Sequence, residues 1–311
     1  MLRFLTRRML LLVPVVLGVA TLTFMLMHMA PGDPARTYLG DRANPAAIAA
    51  LRHEWGLDQP LWRQYLNFMG GLAVGDLGRS MFFHDRIITL LAIRLPPTLW
   101  LMAMATLFSI VISVPLATWM AVSRGGAVDA GVRSFNAIAQ GTPLFFTGAV
   151  LIAIFSLNLH WFPVAGYGNT VSQHIASLIL PSLSVALVIV PFLIRGLRGA
   201  LMDALNSEYV NFAKAKGLNR RAIWINYALK NASITGISIL GIQVGYLAGG
   251  SLVIENVFAI PGMGTFLMKG ILNRDFPVVQ ASALVFALLV IFIYLLTDIA
   301  YGLFDPRVRL K

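Results

Sequence analysis

Six apolar stretches, each about as long as a membrane-spanning helix, constrain this chain more than any other feature. A transmembrane α-helix needs about 20 consecutive apolar residues to cross the hydrocarbon core of a bilayer. The sequence predicts six such helices, at residues 9–29, 98–122, 137–157, 175–194, 232–257 and 278–304. Because backbone polar groups in lipid must be bonded within the protein, we expect an all-α integral membrane protein.

The composition agrees with this class and excludes several kinds of site. The chain is 58% hydrophobic and 12% charged, whereas a soluble domain has about 25% charged residues. The first apolar run exceeds the core of a signal peptide, about 7–15 residues, so an uncleaved first span is expected. The 311 residues include no cysteine, which excludes disulfides and thiolate chemistry. The five histidines are scattered, and no metal site is predicted.

The basic residues predict the orientation in the membrane. With the N-terminus inside, the predicted inner segments carry fifteen basic and five acidic residues, and the outer segments carry nine and eight. An excess of Lys and Arg on the cytoplasmic side is the usual determinant of topology. Both termini are therefore expected in the cytoplasm, and residues 31–97 form the one sizeable outer segment. The formal charge of +11 is thereby explained without a nucleic-acid partner.

A polar segment at residues 208–231 interrupts the second half of the chain. Leu197, Leu201, Leu205, Tyr209 and Phe212 recur at helical spacing and predict one amphipathic helix. Gly217 is expected to end that helix in a left-handed conformation, and Asn219 to cap a second helix at 220–230. Arg220 and Arg221 lie where cations are mildly unfavourable. Their position favours a phospholipid head group or an acidic protein surface as a partner.

This segment resembles the EAA loop of binding-protein-dependent ABC import permeases, a cytoplasmic helix that docks into a groove of the ATP-hydrolysing subunit. The resemblance assigns ATPase coupling to the motif positions and to the polar residues that follow them, namely Glu208, Tyr209, Ala213, Ala215, Gly217, Leu218, Asn219, Arg220 and Arg221. An ordinary amphipathic helix on the membrane surface is the alternative.

Further motifs resemble the first permease subunit of dipeptide and oligopeptide ABC importers. They are PGDP, GLDQPLWRQY and GDLGRS in the outer segment, LPPTLWL before the second span, and ENVFAIPGMG, NRDFPVVQ and DPRVRL near the C-terminus. The resemblance implies a type I importer permease fold with an external cap between spans 1 and 2. It divides the chain into a first span with its cap (1–95), a permease core (96–305) with its coupling loop (196–231), and a cytoplasmic tail (306–311).

Small and polar residues within the spans suggest packing and transport roles. Gly241, Gly245 and Gly249 form overlapping GxxxG steps that predict a close helix contact. A polar side chain in a span is costly unless it faces a partner or water. The predicted translocation path therefore comprises Gln140, Gln243, Tyr246 and Glu255. The alternatives are packing for Gln243 and an interfacial position at the end of its span for Gln140. Asp298 lies near the cytoplasmic end of the last span, where it can pair with Arg307.

The chain contains no phosphate-cradling GxxxxGK[ST] loop, so it is not expected to be an enzyme. The resemblance implies alternating-access import of peptides across the bacterial inner membrane, with ATP and magnesium bound by two ATPase subunits. It also implies a second homologous permease and a periplasmic or lipid-anchored solute-binding protein. Membrane lipid is a further expected partner. The alternatives are an ion-coupled secondary transporter, a membrane scaffold, or the same fold carrying nickel complexes, glutathione or another small solute.

Overall fold

The computed structural model describes residues 2–29, 32–40, 43–123 and 126–304, without the side chains of 2–12, 127–128 and 304. Within these ranges the chain is helical, with one isolated β-bridge. The first helices are α1 (Leu2–Met29), α2 (Pro34–Leu39), α3 (Pro45–Glu54), α4 (Leu61–Ala73), α5 (Ile87–Ser123), α6 (Ala127–Gly141) and α7 (Leu144–Leu151). They are followed by α8 (Val171–Leu205), α9 (Glu208–Ala215), α10 (Arg220–Ile223), α11 (Lys230–Val257), α12 (Met263–Leu272) and α13 (Phe276–Phe304). Two π-helical segments, Ile152–Asn158 and Trp224–Leu229, continue α7 and α10.

Four helices in the described part of the chain are long and apolar enough to cross a bilayer. They are Ile87–Ser123, Val171–Leu205, Arg220–Val257 and Phe276–Leu303, which match four of the six predicted spans. The first predicted span lies within α1, whose apolar stretch is described from Val13 to Met29. The count of six spans stays a prediction, while the all-α membrane architecture is confirmed.

The predicted second span begins too late. We expected it to start at residue 98, yet α5 begins eleven residues earlier, at Ile87. Pro96 and Pro97 therefore lie inside α5, although proline usually marks the start or end of a helix. In a membrane-spanning helix, neighbouring helices and local adjustments can satisfy the carbonyls that proline leaves free.

The predicted third span, 137–157, is wrong as one continuous helix. The chain bends by 109° between Asp129–Gly141 and Leu144–Asn158. Pro143 causes the break, because its ring forces Thr142 out of the α region. Thr142 is extended, with φ −94° and ψ 124°, and Pro143 serves as the N-cap of α7. The proposed span is thus a bent pair of helices.

One compact unit comprises Leu5–Thr98 and Pro261–Leu289. Its core packs Ile87 and Leu91 of α5 against Met263, Phe266, Val278 and Ala281. The unit contains the predicted cap, whose helices α2 to α4 are followed by turns at Gly75 and Gly78, both with φ +76°.

Asp275 organises the turns of this unit. Its carboxylate is fully buried and accepts a hydrogen bond from the hydroxyl of Ser80. It also accepts the backbone N–H groups of Met81 at 3.2 Å and Phe82 at 3.0 Å. The NRDFPVVQ motif thereby holds the loop that follows GDLG. No signal in the sequence pairs these two motifs, which lie about 195 residues apart.

The other compact unit comprises Met1–Phe4, Leu99–Ile260 and Val290–Lys311, and α8 is its central helix. More than any other long span, α8 is buried inside the protein. It packs closely on α11 because small residues lie at the contact. A side chain at Gly196 would overlap Ile239, and one at Gly236 would overlap Leu197. This unit also contains the coupling segment.

Candidate coupling segment and translocation face

The coupling segment consists of two short helices, α9 and α10, inserted between α8 and α11. The amphipathic helix predicted to run from Leu197 to Gly217 is wrong, because α8 ends at Leu205 and α9 begins at Glu208. Ser207 is the extended N-cap of α9, and its hydroxyl donates to the carbonyl of Ala204. Serine and asparagine favour such local bonds over a continuing helix, which explains the break at Asn206–Ser207.

Gly217 ends α9 as the sequence predicted. Its φ is +78°, in the left-handed region that glycine occupies without a Cβ penalty. The N–H of Leu218 donates to the carbonyl of Ala213, and the N–H of Gly217 donates to that of Lys214. These two bonds form a Schellman motif, which fixes the direction in which the chain leaves α9.

Asn219 caps the second helix, also as predicted. Its side-chain oxygen accepts the N–H of Ala222 at 2.7 Å, and its backbone is extended. The helix then continues through α10 and the π-helical turn Trp224–Leu229 into α11. The second helix of the coupling segment is therefore continuous with a long apolar helix.

A small apolar core holds the two short helices together. Val210, Ala213 and Ile223 are buried, with Tyr227 packed against them. Tyr209 lies over Tyr227, with ring centroids 6.4 Å apart. Of the nine residues to which coupling was assigned, Ala213 is buried and the other eight are exposed. Ala213 therefore supports the segment, and its neighbours form the surface.

The exposed surface of the segment combines apolar and charged side chains. Phe212 is 62% exposed, Tyr209 42% and Leu218 39%. Lys216 lies 4.6 Å from the Phe212 ring centroid, within range of a cation–π contact. Large apolar side chains exposed beside charges are typical of a protein–protein docking surface.

Two glycines of α11, Gly241 and Gly245, face α13. A side chain at Gly241 would overlap Thr297, and one at Gly245 would come within 3.3 Å of the Tyr294 ring. Gly249 is exposed and has open space around it. The predicted close helix contact is thus present for two of the three glycines, while Gly249 contributes no such contact within the described chain.

The four residues predicted to line a path are not together. Tyr246 is 82% exposed and Gln243 is half-buried on the same part of α11. Glu255 is fully buried, so it does not lie on this exposed face. Gln140 lies instead on α6, where its Oε1 accepts a hydrogen bond from Arg195 at 2.9 Å. Of the four residues predicted to line the path, only Gln243 and Tyr246 therefore lie on the exposed face of α11.

Sequence reasoning missed a buried ion-pair cluster beside Gln140. Asp129 is 1% exposed and lies 3.3 Å from Arg133 and 3.1 Å from Arg198. The i,i+4 spacing of Asp129 and Arg133 was a readable signal. Arg198, 69 residues away from Asp129, could not be assigned to the cluster without the fold.

Two family models together match most of the chain. Residues 113–310 match the binding-protein-dependent transport system inner membrane component family. Residues 1–102 match the N-terminal model of the same transport system membrane component. The first match alone covers more than half of the chain.

Similar proteins and structures agree with these models. The chain is 34% identical to a probable peptide ABC transporter permease protein, y4tP, of Sinorhizobium fredii, over 98% of this chain and 99% of that one. It is 36% identical to the glutathione transport system permease protein GsiC of Pectobacterium atrosepticum, over the full length of both. The fold resembles the inward-facing MetNI methionine ABC transporter, with a TM-score of 0.58, 17% identity, and coverage of 70% of this chain and 97% of that chain. The chain therefore belongs to the binding-protein-dependent ABC importer permeases, as a multi-pass membrane subunit with the type I fold.

Proposed function

We propose that this chain is the permease of an ATP-driven importer for small peptides, with glutathione, itself a tripeptide, among the candidate cargoes. The observation that carries this proposal is the full-length similarity to relatives named for peptide and for glutathione transport. The cargoes in those two names, peptides and glutathione, both contain a peptide backbone and a carboxylate. A translocation path can recognise both groups. Nickel complexes, opines and sugars remain the competing cargoes.

The exposed coupling segment supports an ATPase subunit as the source of energy. Tyr209, Phe212 and Leu218 offer apolar surface, while Glu208 at the start of α9 offers a negative charge. We propose that this surface docks into a groove of the ATPase. Because α10 continues through the π-helical turn into α11, movement of the docked segment would be transmitted to a membrane helix. An ATPase can drive the change if it binds the segment differently in two states.

The proposed assembly contains this chain, a second homologous permease, two ATPase subunits and a periplasmic or lipid-anchored solute-binding protein. ATP and magnesium bind to the ATPase subunits, and this chain carries no cofactor. Both termini and the coupling segment are cytoplasmic in this arrangement. The exposed face of α11 around Gln243 and Tyr246 is proposed to line the path through which alternating access carries the cargo.

Reconstitution tests the proposal directly. The complete complex is placed in liposomes that contain ATP, and the binding protein is added outside with radiolabelled dipeptide, tripeptide or glutathione. We expect uptake of at least one peptide, and none with a non-hydrolysable ATP analogue inside. Uptake driven by an ion gradient without ATP, or uptake of a non-peptide solute alone, would rule out this function.

A charge reversal tests the coupling surface within the same assay. Glu208 is exposed, so Glu208→Lys should leave membrane insertion intact while reversing the charge of its contact. We expect retention of the ATPase or substrate-stimulated hydrolysis to fall at least tenfold. Glu54→Lys is a matched control, because Glu54 is also exposed but lies in α3, outside the coupling loop. Normal coupling in Glu208→Lys would remove the role assigned to this residue.

A further inference from the structure

A cavity of about 580 Å³ lies between α6 and α8. Both helices contribute residues at i, i+3, i+4 and i+7, so one face of each helix lines the cavity. The polar and small residues that matter here are Arg133, Asn136 and Gln140 of α6, and Arg195, Arg198 and Gly199 of α8. Two facing helices thus concentrate three arginines around one space.

The arginines are incompletely neutralised. Asp129 pairs with both Arg133 and Arg198, so one carboxylate serves two guanidinium groups. Arg195 contacts the neutral oxygen of Gln140, and the ion pairs of the described residues give Arg195 no carboxylate. The cavity therefore carries a net positive charge, which favours an anionic occupant.

Buried polar atoms at the cavity lack partners among the described residues. The Nε of Arg198 and the Oδ1 of Asn136 are both buried without a hydrogen bond. Leaving a buried donor unsatisfied costs free energy, so native structures normally supply an acceptor. Half a turn of the Asn136 amide presents its NH₂ group instead. An oxygen-rich anion in the cavity would satisfy both side chains.

The cavity lies at the level expected for lipid head groups. Arg195 follows Val171, the first residue of α8, by 24 positions, which corresponds to about 36 Å along a helix. The hydrocarbon core is about 30 Å thick, so a helix that enters the core at Val171 carries Arg195 past its far side. On α6, Phe135 and Ile138 are exposed on the side opposite the cavity residues. A helix with one exposed apolar face and one polar face is suited to the membrane interface.

We propose that this cavity binds the phosphate of an anionic phospholipid from the predicted cytoplasmic leaflet. Guanidinium groups bind phosphate through paired charge-assisted hydrogen bonds, and basic pockets between membrane helices are suited to phospholipid head groups. The cavity is within the size range of small-ligand sites. Free inorganic phosphate offers the same chemistry, but the membrane-level position favours the lipid.

The test uses the delipidated permease in complex with its partner subunits, in nonionic detergent. Native mass spectrometry measures the bound fraction during titration with phosphatidylglycerol, phosphatidylcholine or inorganic phosphate. Arg195→Gln removes the unneutralised charge. Gly199→Leu fills the cavity without replacing an arginine, and the open space around the Cβ position of Gly199 and the better helix propensity of leucine preserve folding. Arg63→Gln, at an exposed arginine of α4, is the matched charge control.

We expect phosphatidylglycerol to bind at least tenfold more tightly than phosphatidylcholine. Arg195→Gln should weaken phosphatidylglycerol binding about tenfold, the size expected for one hydrogen bond to a charged group. Gly199→Leu should also weaken it, because the added side chain occupies the site, and Arg63→Gln should leave it unchanged. Phosphatidylglycerol binding that survives in both cavity variants would overturn the site. Inorganic phosphate that binds in the cavity and is not displaced by phosphatidylglycerol would overturn its assignment to a lipid.

Discussion

At the scale of single residues, backbone conformation and buried charge decide which positions tolerate change. Gly217 and Asp275 illustrate the two cases. Gly217 is exposed, and its constraint comes from a left-handed backbone. Asp275 is fully buried, and its constraint comes from the hydrogen bonds that its carboxylate accepts.

We expect Gly217→Val to misdirect the coupling segment, because a β-branched residue in the left-handed region costs about 1–2 kcal/mol. The protein should still insert in the membrane but lose ATPase retention or substrate-stimulated hydrolysis. Pull-down of the ATPase and a hydrolysis assay measure both. Gly217→Asn is the control, since asparagine tolerates this conformation. Equal activity in the valine and asparagine variants would contradict the hinge role.

We expect Asp275→Asn to loosen the loop after GDLG, because an amide replaces a carboxylate that accepts three hydrogen bonds from that loop. Losing hydrogen bonds to a charged group typically lowers the free energy that holds such a loop closed by about 2 kcal/mol. The fraction of molecules with the loop open then rises roughly 30-fold. Trypsin cleavage after the exposed Arg79 should accelerate accordingly.

Asp85→Asn is the control for this change. Asp85 is exposed and bonds the N–H of its own neighbour, Arg86, so its loss should leave the loop closed. Similar cleavage rates in the wild type and in Asp275→Asn would show that this carboxylate does not hold the loop.

At the scale of elements, small residues determine which helices approach closely. Gly241 and Gly249 belong to the same GxxxG pattern, yet Gly241 lies in a tight helix contact and Gly249 has open space around it. The difference lies in what packs on each face of α11, since both glycines are part of one continuous helix.

We expect Gly241→Leu to lower the thermal stability of the permease, because the added side chain would overlap Thr297 of α13. Overpacking of this kind costs about 1–3 kcal/mol. Gly249→Leu should leave the stability of the isolated chain unchanged. If this variant also fails to assemble with its partner subunits, the face of α11 that contains Gly249 contacts another subunit. Thermal unfolding of the purified permease separates the two variants. An equal loss of stability in both would contradict the packing described for α11.

At the scale of the whole molecule, the predicted orientation is open to direct measurement. The native chain has no cysteine, so single cysteines report their own side. We expect Asn219→Cys to react with an impermeant thiol reagent after permeabilisation and not in intact cells. Glu54→Cys, exposed in α3, should react in intact cells. The reverse pattern would invert the topology and the leaflet assigned to the lipid site.

The sequence alone determined those features that depend on neighbouring residues. Apolar length predicted the membrane helices, Gly217 and Asn219 predicted the turn and cap of the coupling segment, and the ordered motifs indicated the family. Each of these signals acts over one helix or one turn, so local propensity and hydrophobicity suffice to read it.

Only the tertiary structure decided the features that depend on distant partners. It placed Tyr209 and Phe212 on an exposed surface, buried Glu255, and brought Asp275 to the loop at Ser80. It also brought Arg195 and Arg198 of α8 beside Arg133 of α6. A helical pattern shows which residues share a face, but what that face meets is determined by the packing of helices that are distant in the sequence.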